Sequence, residues 1–134
     1  MKYQFNVEPV QQQRPRATRM GAGIRLYDPK KTKGFKNEVK RIAKSFKATP
    51  IDDPCKIIVT FYRSNQKNVS KREIERRETG KSLPSKKPDL DNYLKSFLDA
   101  LTGVMWTDDN LICEISAKKR YSVNPRIELE IISL

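Results

Sequence analysis

Residues 88–103 read PDLDNYLKSFLDALTG, and WTDDN follows at 106–110. Leu94, Phe97, Leu98 and Leu101 recur at helical spacing and Gly103 supplies a stop, which predicts a helix opening at Asp91 as its N-cap. Pro88 biases Lys87 toward an extended backbone. If the chain stays extended to Asp91, the Asp89 and Asp91 side chains point to one side, with Leu90 opposed. Lys95 lies four residues after Asp91 and Asp99 four after Lys95, so the three share one helical face. That spacing is also the spacing of an ordinary surface salt-bridge ladder, and Asp108-Asp109 by itself is also an ordinary polar turn.

Charge gives these acids a second meaning. The chain carries 28 Lys and Arg against 16 Asp and Glu, a formal net charge of +12, and such a field favours polyanions, nucleic acid first among them. Carboxylates placed behind Lys86 and Lys87 repel one another and repel the polyanion. A divalent cation between them resolves the conflict. There is no histidine, so imidazole is excluded as base, proton shuttle and ligand, and any hydrolysis must use carboxylates, lysine and oxygen-bound metals. A short antiparallel return after the helix would gather Asp89, Asp91, Asp108 and Asp109 as oxygen ligands for Mg²⁺ or Mn²⁺. Cys55 and Cys113 belong to no C-x-x-C pair and read as two reduced, buried thiols.

With 134 residues, one α/β (α+β) domain is expected. No apolar run approaches a membrane span, and the amino terminus lacks the pattern of a signal peptide, so a cytoplasmic, soluble protein is expected. YQFNV at 3–7 alternates as a strand. Residues 11–31 read as a long basic loop with a short hairpin at Ile24 to Tyr27. From Thr32 an amphipathic helix with a basic outside carries Phe35, Val39, Ile42, Ala43 and Phe46 inward. CKIIVTFYR reads as a buried strand, and LICEISAKKRY and RIELEII as two more. Within a charged excursion at 65–85, a capping box from Ser70 to Glu73 opens a short helix with too little apolar surface to pack firmly.

The central stretch has the form D-x-D-N-x-x-K-x-x-x-D-A-L followed by a D-D pair, and it resembles the signature of the RusA-type Holliday-junction resolvases. The likeness extends through QRPRATR at 13–19, IIVTFYR at 57–63 and KKRYSVNPRIELEI at 118–131. Pro88 stands where some members of that family carry arginine, which leaves Lys86 and Lys87 as the nearest positive charges. The resemblance implies a small mixed α/β fold, a homodimer, and paired symmetric nicks across a four-way DNA junction. It also implies that Asp89, Asp91 and Asp109 carry metal-dependent cleavage and that Lys95 is required.

On that reading Asp108 is a further ligand or a support to one, Lys95 neutralises the phosphate, Asp99 orients Lys95, and Asn92 caps or assists. Arg14, Arg16, Arg19, Lys86, Lys87, Lys118 and Lys119 are the expected DNA contacts, although a charge run on an edge strand also guards against aggregation. Tyr27, Tyr121 and Trp106 are expected in the core or at its rim. Two other readings share these residues: a nuclease for flaps, forks or RNA, and a nucleic-acid-binding module without catalysis.

Overall fold

Alternation in CKIIVTFYR places Cys55, Ile57, Val59 and Phe61 on one face, and all four are fully buried in the strand they form, β4 (Cys55–Arg63). This strand is the centre of the molecule in the computed structural model, which describes residues 1–134. β4 pairs antiparallel with β6 (Arg126–Ser133), which in turn pairs antiparallel with β1 (Lys2–Phe5). On its other side β4 pairs in parallel with β5 (Ile112–Tyr121), giving the order β1-β6-β4-β5. Against the packed face lie α1 (Lys30–Ser45) and α3 (Leu90–Leu101), and the core between helices and sheet includes Phe5, Phe35, Val39, Phe97, Trp106 and Ile127. Edge-to-face contacts of Phe97 with Phe5 and Phe61, at 5.2 and 5.7 Å between ring centroids, tie α3 to both β1 and β4. The result is a single small domain with a mixed sheet, and no helix is long and apolar enough to cross a membrane.

One feature of this topology governs the site. Parallel strands need a crossover, and the β4–β5 connection runs out through α2 (Lys71–Glu78) and back along α3. The helix therefore starts beside the carboxyl-terminal ends of β4 and β5 and finishes beside the start of β5. Lys119, near the end of β5, accordingly donates to the carbonyl of Pro88, just ahead of α3.

Several expectations are corrected. The basic segment 11–31 is largely a hairpin, β2 (Arg16–Met20) with β3 (Gly23–Tyr27), about three times the expected extent. Its two-residue connection, Gly21-Ala22, places Gly21 at φ +59°, which a primed hairpin turn requires and a β-carbon disfavours. Cys55 is buried and its thiol is held above its ordinary range by burial, but Cys113 is exposed. Helix α2 has the expected cap, Ser70 accepting from the Glu73 amide. It is held down without apolar burial: the Arg77 guanidinium lies 3.7 Å from the Tyr121 ring centroid, and Glu78 accepts from the Val123 amide.

Candidate active site

Helix α3 begins two residues earlier than its apolar stripe suggests. Its N-cap is Asp89, with extended backbone angles and no capping bond from its own side chain, so Asp91 lies inside the first turn. The expected extended Asp89-Leu90-Asp91 segment is thus corrected: Leu90 is already helical. Both carboxylates are exposed at a helix N-terminus, where the unpaired amides and the macrodipole favour negative charge.

The approach to this terminus is clamped. Lys119 Nζ donates to the carbonyls of Lys86 and Pro88, both at 3.1 Å, and Arg63 donates to the carbonyl of Lys87 at 3.0 Å. Three successive carbonyls before Asp89 are held by cations from β4 and β5. Lys119, expected on the DNA, is engaged with this backbone instead, and Lys118 faces solvent. Alternation along a strand carries this signal, because adjacent lysines must point to opposite faces. Arg63 was not singled out by the sequence.

One turn further on, Lys95 is exposed and forms no ion pair with Asp91 or Asp99. The 91/95/99 ladder does not form. Asp99 is 3.4 Å from Lys36, which also binds Asp28 at 2.8 Å and holds the Asp28 carboxyl below the usual carboxylate range. Lys95, Asn92 and Asp99 line an open cleft of about 510 Å³ together with Arg14, Gln12 and Lys36. The cleft wall is pinned to α3 where the Gln12 amide donates to the Asn92 carbonyl at 2.8 Å. A larger hollow, about 610 Å³ among Met1, Ile51, Met105 and Ile131, is mostly apolar and carries no charged side chain.

Asp108 and Asp109 lie at the other end of the helix. Asp108 caps a short 3-10 turn (Asp109–Leu111) by accepting from the Asn110 amide. A hydrogen bond with Asp108, together with the charges of Asp108 and Asp99, holds the Asp109 carboxyl above its usual range. β5 does return antiparallel to α3, but the return does not gather the four acids as expected. Asp109 precedes the start of β5 whereas Pro88-Asp89 lies beside Lys119 near its end, so the two acidic pairs lie toward opposite ends of α3. Within one chain no group of three carboxylates or thiols converges to hold a metal ion. The donor chemistry suits Mg²⁺, but a single chain does not assemble the set.

Of the expected DNA contacts, Arg14 borders the cleft, Arg16 and Arg19 stand on the hairpin, and Lys86 and Lys87 are exposed directly before Asp89. The chain thus combines exposed carboxylates at both ends of one helix, an unpaired lysine between them and a cationic rim. Its family follows from sequence comparison: the RusA endodeoxyribonuclease profile matches residues 6–132, and the chain belongs to that family. It is 37% identical over 134 residues to the protein YqaN of Bacillus subtilis (strain 168), covering 98% of this chain and 94% of that one. It is 26% identical over 137 residues, with 98% of both chains covered, to the crossover junction endodeoxyribonuclease rusA of Lactococcus phage r1t.

Proposed function

We propose that this chain is a structure-specific endodeoxyribonuclease that resolves four-way DNA junctions by paired nicks, in recombination and repair, and that it does so as a homodimer with Mg²⁺. The observation that carries the reading is the unpaired Lys95 in a cleft beside the exposed Asp89-Asp91 pair on a chain of net charge +12. Lys95 is free to sit against a phosphate and to offset the negative charge that grows in the transition state. Arg63 and Lys119 fix the backbone leading to Asp89, and Lys86 and Lys87 draw the strand toward it.

One chain gathers no group of three of these acids, and a dimer that brings the Asp89-Asp91 pair of one chain to the Asp108-Asp109 pair of its partner would complete the set. A two-fold dimer also matches the symmetry of a four-way junction, one site for each of two opposed strands. Mg²⁺ or Mn²⁺ held by such a set would supply Lewis-acid charge and an activated water.

The test is cleavage with Mg²⁺ of matched four-way junction, fork, flap, linear duplex and RNA substrates. Symmetric nicks confined to the junction are expected. Faster cutting of flap, fork or RNA would establish one of the other nuclease readings, and binding without cutting of any substrate would establish the non-catalytic one.

A further inference from the structure

We propose that the β2–β3 hairpin is a DNA-gripping arm that enters the groove of the duplex beside the cleft, an inference that rests on the nuclease reading above. The hairpin forms a two-stranded sheet of its own, and all ten strand residues are exposed, including Ile24 at 75% and Leu26 at 68%. Isolated two-stranded ribbons are only marginally stable in water, so this one is built to meet a partner.

Register fixes what each face presents, since residues opposite one another share a face. Arg16 with Tyr27 and Thr18 with Arg25 make one face; Ala17 with Leu26 and Arg19 with Ile24 make the other. Cations stand on both faces, as contact with the phosphates on both walls of a groove requires, and apolar side chains lie between them for sugars and base edges. A ribbon of five residues per strand is about 17 Å long, and the major groove of B-DNA, about 12 Å wide, admits a two-stranded ribbon.

Two further facts select DNA over a second copy of the chain. No acid occurs from Gln11 to Tyr27, which contain four arginines, and none of the four forms an ion pair. Two copies packed through this surface would oppose like charges across the two-fold axis. The arm is also rooted at the cleft, through the Gln12–Asn92 bond and Asp28, so DNA reaching Lys95 passes it.

The experiment measures binding to a labelled four-way junction over a salt series. Arg16→Ala/Arg19→Ala/Arg25→Ala should fold as the wild type and flatten the slope of log affinity against log salt by roughly 2–3, each lost phosphate contact contributing about 0.9. Lys2→Ala/Lys40→Ala/Lys44→Ala removes equal charge elsewhere and should change the slope by less than about 1. Ile24→Ser/Leu26→Ser should weaken binding with the slope and the sedimenting mass unchanged. An unaltered slope in the arginine variant, or an equal change in the lysine variant, overturns the arm while leaving the nuclease reading in place. A halved sedimenting mass in the Ile24/Leu26 variant assigns the arm to a second copy and also overturns the inference. Wild-type protein that binds no junction removes the nuclease reading and the arm with it.

Discussion

Lys95 has a carboxylate four residues to either side and pairs with neither, and the proposed function gives this free charge a place against the phosphate. An exposed helical ion pair contributes only about 0.3–0.5 kcal/mol, so a ladder residue could be lost at little cost. Removal of a preorganised charge facing a transition state costs roughly 10²–10³-fold in rate. Lys95→Ala should therefore fold, bind junctions and cut roughly 10²–10³-fold more slowly in single-turnover assays, whereas Asp99→Ala should stay near wild type. Equal, small losses would return Lys95 to the surface.

Lys119 makes a different prediction, because it acts through the backbone ahead of Asp89. Lys119→Met should lower the cleavage rate at saturating DNA by about 10–100-fold, the usual cost of losing a group that orients a site. Lys119→Arg should recover part of it, and affinity should move little. A loss confined to affinity would show Lys119 to be a DNA contact. The residue types at the site are legible in the sequence, yet the clamp is not. Which carbonyls a lysine finds depends on the crossover that carries residues 86–88 past β5.

At the scale of elements, periodicity identifies α1, α3, β4 and β6 because each has a buried stripe, whereas β5 buries only Tyr121. The hairpin is read mostly as loop because all its strand residues are exposed, so its alternation marks no core. Direction is the larger omission. Nothing in the run CKIIVTFYR or LICEISAKKRY states that the two strands are parallel, and that one fact moves Asp109 to the far end of α3 from Asp89.

The hairpin's base gives a prediction of its own. Lys36 lowers the Asp28 carboxyl chiefly by hydrogen bonding, and Gln12 donates to the same carboxylate. A depressed acid contributes stability that is fully present above its unfolded value, near 3.9, and lost as pH falls through the lower folded value. Asp28→Asn should melt about 2–6 °C below wild type at pH 6, as expected for a link contributing about 1 kcal/mol, and the gap should close as pH falls through the lowered folded value. A gap that persists in acid would assign the effect to packing.

For the whole molecule, the proposed sharing of acids between two chains would make assembly part of the chemistry. The protein should sediment as a dimer, and each nick should have a symmetric counterpart on the opposing strand. A monomer that leaves unrelated single nicks would contradict this. The most direct measurement is junction cleavage by Asp91→Asn, by Asp109→Asn, and by the two variants unfolded and refolded together. Each variant alone should bind junctions and fail to cut, because every site lacks one acid. In a mixed dimer, one site receives both substitutions and the other receives none. The mixture should therefore recover about a quarter of the wild-type nicks, half the dimers being mixed with one of two sites intact. Cutting by either variant alone at the wild-type rate, or a refolded mixture as inactive as its components, would contradict a nuclease whose acidic site is completed across two chains.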